Sequence, residues 1–113
     1  MAEETVFSKI VAGEIPSEIV AESAHSIAFN DISPKAPLHV LVVSKAHHEN
    51  IGAIATADPV AAADLAALSR KVADEAGVSD YRLIFNSGAD AGQTVFHVHG
   101  HVLAGGPIAL GFE

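Results

Sequence analysis

Residues 95–106 read VFHVHGHVLAGG, with His97, His99 and His101 at every second position, apolar residues on either side and two glycines at the end. Alternation of period two is the mark of a strand, whose successive side chains point to opposite faces. The stretch therefore predicts a strand with His97, His99 and His101 on one side and Val98, Gly100 and Val102 on the other.

The neighbours of that strand follow from the remaining chain. Just before it, YRLIFNSG (81–88) predicts another strand, joined to it through the turn-prone SGADAG (87–92). Upstream, Asp58 is a plausible N-cap and Pro59 suits the first helical position, where its missing N–H costs nothing. Ala61, Leu65, Leu68, Val72 and Ala76 then trace one face of a long helix that Gly77 stops. LHVLVVSK (38–45) is rich in β-branched residues and predicts a buried strand, set off by the SPKAP break at 33–37. SEIVAES (17–23) and HSIAFND (25–31) suit a hairpin. In TVFSKIVAGEIP (5–16), Val6, Phe7, Ile10 and Val11 predict a short helix closed by Gly13 and Pro16. The order helix, hairpin, strand, helix, strand, strand predicts an α+β fold: a mainly antiparallel sheet with the long helix on one face.

Composition restricts the function. A chain of 113 residues, 50% apolar, is expected to be one domain over 1–113. No apolar run approaches the roughly 18 residues of a membrane span, and the acidic start MAEETVFSKI is unlike a secretion signal, so a cytoplasmic location without membrane contact is expected. Absence of cysteine removes disulfides and thiolate metal sites. With 6 basic against 14 acidic residues, a net charge of −8 and the basic residues scattered, nucleic acid is not an expected partner.

The histidine row admits three readings. The first is structural, with imidazoles satisfied by hydrogen bonds. The second is a transition-metal site. On an extended strand the outer two Cα atoms lie about 13 Å apart, so an ion would need an outside ligand, for which His39 is the natural candidate. The third is catalytic, with imidazole as nucleophile and acid–base group near neutral pH. Spacing alone does not rank the third above the second. The preceding stretch adds Asn86, Gly88, Gly92, Gln93 and Thr94, whose glycines permit close backbone approach and whose polar side chains are suited to phosphate oxygens. His25, His47 and His48 fall in expected turns and read as solvated.

HVHGHVLAGG also resembles the histidine-triad signature, three histidines alternating with apolar residues. The blocks TVFSKIVAGEIPSEIV, AFNDISPKAPLHVLVV and YRLIFNSGADAGQTVFHVHGHVLAGG resemble, in order and spacing, those of the Hint branch, the histidine-triad nucleotide-binding proteins. The resemblance implies a five-stranded antiparallel sheet with one long and one short helix, doubled to ten strands in a homodimer. It implies hydrolysis of purine nucleoside 5′-phosphoramidates through a nucleotidyl-histidine, with no metal or other cofactor.

Carried onto this chain, the resemblance makes His99 the nucleophile, held by the backbone carbonyl of His97. It gives phosphate contacts to His101, Thr94 and Val95, with Gln93 just before them, and places His39 in a polar relay behind His97. Asp31 is expected at the ribose, Phe29 and Ile32 at the base, and Asn86 at the ribose–phosphate; His47 looks structural. Gly100 departs from the signature, which predicts a weaker strand with no packing side chain behind the nucleophile. The tail PIALGFE lacks the aromatic end of animal members; Ile108, Leu110 and Phe112 are expected near the dimer seam. Two alternatives stand beside this expectation: a dinucleoside polyphosphate hydrolase of the Fhit type, and a non-catalytic nucleotide-binding or partner-binding protein.

Overall fold

The longest helix shows how local sequence positions the rest. In a computed structural model describing residues 4–106, α3 spans Pro59–Glu75, and the Asp58 side chain accepts the Ala61 N–H at 3.1 Å. At its other end Gly77 takes φ +76°, and the Val78 N–H reaches back to the Ala73 carbonyl, closing the last turn as left-handed glycine caps do. Its buried face is Ala61, Leu65, Leu68, Ser69, Val72 and Ala73. Ala76, expected on that face, lies beyond the last helical turn and is exposed.

One helix lies outside the sequence expectation. α2, Ile51–Ala57, is capped by the Asn50 side chain on the Ala53 N–H and buries Ile54. Asp58, at φ −150°, ends α2 and begins α3, so the two are separate elements around one non-helical residue. The IGAIATA segment carries only one fully buried apolar residue, too little for a periodic signal.

α1 spans Val6–Val11, and the strands are β1 Ile19–Glu22, β2 Ser26–Asn30, β3 Leu38–Ser44, β4 Tyr81–Ile84 and β5 His99–Ala104. They form one five-stranded sheet in the order β1-β2-β3-β5-β4, antiparallel at every pairing. The register sets Val43 opposite His99, Leu41 opposite His101 and His39 opposite Leu103. His39, Leu41, Val43, His99, His101 and Leu103 consequently share one face, and Val40, Val42, Gly100 and Val102 share the other.

Each face has its own core. Ala28, Val40, Val42 and Val102 pack with Val98 and with Ile54, Ala61, Leu65, Leu68 and Val72 of α2 and α3. Fully burying a Leu or Val contributes roughly 1.5–3 kcal/mol, so this layer carries much of the fold's stability. On the opposite face Phe7 of α1 covers Ile27, Phe29, Leu41 and Val43.

Two expectations about β5 are corrected. The strand begins at His99 rather than Val95, because the Val98 N–H goes to the His48 carbonyl and the Ser44 carbonyl receives the His97 ring. His97 thus stands off the strand that carries His99 and His101. Nor does Gly100 leave a void: a Cβ there would lie 2.8 Å from Leu83 Cδ1 and 2.9 Å from Phe85 Cζ, so those side chains fill the space expected to be empty. Among the described residues no helix is long and apolar enough to cross a membrane. Ile108, Leu110 and Phe112 lie outside the described residues.

Candidate active site

His97, His99 and His101 are buried to different degrees, and their partners assign each ring's protons. His99 Nδ1 lies 2.8 Å from the backbone carbonyl of His97. A carbonyl only accepts, so Nδ1 carries the proton and Nε2 keeps a free lone pair. His97 Nε2 donates to the Ser44 carbonyl at 2.6 Å, and its Nδ1 faces the Thr5 hydroxyl at 3.1 Å.

A second chain of bonds fixes His101. The Lys35 backbone N–H, a donor only, points at His39 Nδ1 at 2.9 Å, which leaves the His39 proton on Nε2. That Nε2–H meets His101 Nδ1 at 3.0 Å, so neutral His101 carries its own proton on Nε2. The outcome is a bare nitrogen on His99 and an N–H on His101, in rings whose centroids are 5.1 Å apart.

Electrostatics keeps these rings neutral. Burial is the main cause for all of them. It lowers His99 below the usual imidazole value against the raising influence of the His97 carbonyl and Asp31, and lowers His97 against the Ser44 carbonyl. His101 is lowered to about 4 by burial first, then by His99 and His39, with Asp31 opposing. Burial also lowers His39, partly offset by Asp31.

An open cleft of about 340 Å³ adjoins His101, lined also by Asp31, His39, Asn86, Ile84 and Leu103 among others. Asp31 Oδ1 accepts the Ser33 N–H at 2.7 Å and Oδ2 lies 3.4 Å from His39 Nε2, which holds the carboxylate at the rim with lone pairs to spare.

Other expected residues fall elsewhere. Ile32 is 98% exposed and Phe29 is 3% exposed, its ring packed edge-on against Phe7 in the core. Gln93 is buried, and its amide is committed to backbone, donating to the Glu49 and Val95 carbonyls and accepting from the Gly88 N–H. It braces the loop. Thr94 is exposed and Val95 packs against the α1-side core. His39 meets His101 rather than His97, because it shares a sheet face with His101 one strand away, whereas His97 has left the sheet. His47, read as solvated from its turn, is half-buried, donates Nε2–H to the Phe96 carbonyl at 2.8 Å and packs against the His97 ring.

Several contributors are invisible in sequence. Thr5 and Phe7 come from a segment that reads only as a short helix, yet Phe7 sits edge-on to His99 at 4.8 Å between centroids. The Lys35 N–H and Ser44 carbonyl act through backbone, so their side chains carry no signal.

Asp31, His39 and His101 also place one ligand atom each within 4.8 Å of one another, the donor set of a metal site. Their hydrogen bonding disfavours an ion. Binding through His39 Nε2 requires that nitrogen bare, and the proton has no place on Nδ1 while the Lys35 N–H points there.

An imidazole with a fixed lone pair, a neighbouring N–H donor and a cleft with a rim carboxylate all fall within the span of one family model. The HIT domain model covers residues 12–108. The chain belongs to the HIT family. A HIT-like protein of Synechocystis is 43% identical over 110 residues, 96% of each chain. A purine nucleoside phosphoramidase of Escherichia coli K12 is 39% identical over 110 residues, 96% of this chain and 92% of its own. Among solved structures, a HIT family hydrolase from Clostridium thermocellum superposes with a TM-score of 0.88 at 43% identity, covering 97% of this chain and 100% of its own. The HIT fold and the hydrolase class therefore apply to this chain.

Proposed function

We propose that this HIT protein hydrolyses purine nucleoside 5′-phosphoramidates, releasing the nucleoside monophosphate and an amine. The observation that carries the reading is the hydrogen bond from His99 Nδ1–H to the His97 carbonyl, which leaves Nε2 as a neutral nucleophile at the working pH. His99 Nε2 attacks the α-phosphorus and the P–N bond breaks. The amine departs with its bonding electron pair and gains one proton from solvent. Water then opens the nucleotidyl-His99, giving the monophosphate and restoring the ring.

His101, its proton held on Nε2 by the His39 relay, donates to a phosphoryl oxygen, and the exposed Thr94 hydroxyl and Val95 backbone supply further donors. Asp31 accepts from the ribose hydroxyls, Asn86 holds the ribose–phosphate side, and Ile32 offers an exposed apolar surface to the base. Gln93 contributes by bracing the loop and Phe29 by packing behind it. The name of the E. coli relative supports the choice of substrate. The reading extends to a homodimer joined along the open edge of β4, where Tyr81 is 37% exposed.

Turnover of adenosine 5′-phosphoramidate, set against diadenosine polyphosphates, is the test. Preference for the P–N substrate is expected. Faster cleavage of the polyphosphate would replace the reading with a polyphosphate hydrolase, and AMP binding without turnover of either would leave a binding protein.

A further inference from the structure

We propose that Thr5, the residue that caps α1, is a positioning residue for the nucleophile and acts through His97. Only the kinetic consequence rests on the proposed reaction; the structural consequence stands without it. Thr5 Oγ1 lies 3.1 Å from the Ser8 amide nitrogen and 3.1 Å from His97 Nδ1, although His97 is 92 residues away in sequence. The Ser8 N–H can only donate, so Oγ1 accepts there as an N-cap and its own proton goes to His97 Nδ1.

On the far side of the ring the Ser44 carbonyl, which only accepts, takes the His97 Nε2–H at 2.6 Å. Both partners therefore demand the same neutral tautomer. His97 has 0% exposure, so no water replaces either partner. The backbone of this same residue supplies the carbonyl that holds His99 Nδ1–H at 2.8 Å. The path thus runs from the Thr5 hydroxyl to the His97 ring, and from the His97 carbonyl to the ring that attacks.

Removing the hydroxyl leaves a buried Nδ1 without a donor, a cost that the ring relieves by turning, since the Ser44 carbonyl still requires the proton on Nε2. Turning moves the carbonyl on which His99 depends. The rest of the capping box, in which Ser8 Oγ bonds the Thr5 backbone, does not touch His97. Hydroxyl donation is therefore separable from helix capping.

The experiment uses the full chain and three variants: Thr5→Val, Thr5→Ser and Ser8→Ala. Ring ¹⁵N–¹H correlation spectra of the unliganded protein report the His97 tautomer. Turnover of adenosine 5′-phosphoramidate and the dissociation constant of AMP report the site. Thr5→Val is expected to shift the His97 ring signals, as Nδ1 loses its donor, and to lower kcat about tenfold, the size of one net hydrogen bond, with AMP affinity within about twofold. Thr5→Ser should restore both readouts, and Ser8→Ala should leave both as in wild type.

Unchanged His97 signals and unchanged kcat in Thr5→Val would overturn the proposal, as would equal losses in Thr5→Val and Ser8→Ala, which would mark simple capping. A wild-type chain without turnover would defeat the proposed reaction, and the ring spectra would still decide the role of Thr5. Should Thr5→Val fail to fold, Thr5→Asp keeps an acceptor for the Ser8 N–H but has no proton to give. Protonation of His97 on Nδ1 as well as Nε2 is then expected, and retention of the wild-type neutral tautomer would overturn the proposal.

Discussion

The two faces of β5 differ in kind, although their residues alternate along one strand. Val102 and Ala104 face α2 and α3 in a dry apolar layer, where each side chain is held by volume alone. His99 and His101 face the other way, His99 edge-on to Phe7 of α1 and His101 on an open cleft, and each is held by directed hydrogen bonds with a defined proton. Packing tolerates substitutions of similar volume. A tautomer network does not, because every donor in it must meet an acceptor. The stabilising face and the chemical face of this sheet are thus separated by the thickness of one strand.

Paired substitutions offer the strongest test of that separation. His99→Asn is expected to lower turnover by at least the 10² to 10⁴ typical of a positioned imidazole, with AMP binding and thermal midpoint close to wild type. Leu65→Ala, on the other face, is expected to cost about 2–5 kcal/mol in denaturant unfolding and to leave kcat nearly unchanged in the folded fraction. A Leu65→Ala enzyme with intact stability and damaged kcat would break the comparison.

Gly100 belongs to the apolar face, with Val40, Val42 and Val102. Gly100→Ala should destabilise by about 1–3 kcal/mol, since its Cβ overlaps Leu83 and Phe85, and Phe85→Ala in the same chain should recover part of that loss. Additive losses in the double variant would show that Phe85 does not fill the space behind the strand.

Acid sharpens the distinction further. His39, His97, His99 and His101 all have lowered pKa values in the fold, so below the ordinary value of 6.5 the unfolded chain binds more protons than the native one. Stability contributed by keeping these rings neutral is complete above pH 6.5 and is lost progressively as pH falls toward about 4, where His101 titrates in the fold. The acid limb of kcat/KM should accordingly lie below pH 6.5, read from a pH–rate profile; a limb above that value would mean that His99 is not protected from protonation. The smallest expected effect is that of a strong chelator. Activity should be unchanged after dialysis, and recovery only on adding zinc would show that the Asp31, His39, His101 cluster takes an ion despite the Lys35 N–H.

Much of this protein was readable from residue pattern. Period-two alternation marked the strands, and steps of three and four with Asp58, Pro59 and Gly77 marked α3, because burial and capping are local demands on side-chain type. The blocks around HVHGH carried the family. Local pattern did not reveal that Phe85 fills the space behind Gly100, that β5 begins only at His99, or that His39 serves His101. Nor did it reveal which nitrogen of His39, His97 and His101 holds the proton. Those were settled by the Lys35 N–H, four residues from His39, and by the Ser44 carbonyl and the Thr5 hydroxyl, distant in sequence, each of which the fold sets within 3.1 Å of an imidazole. Composition records what a residue can donate or accept, and only the fold decides what stands opposite it.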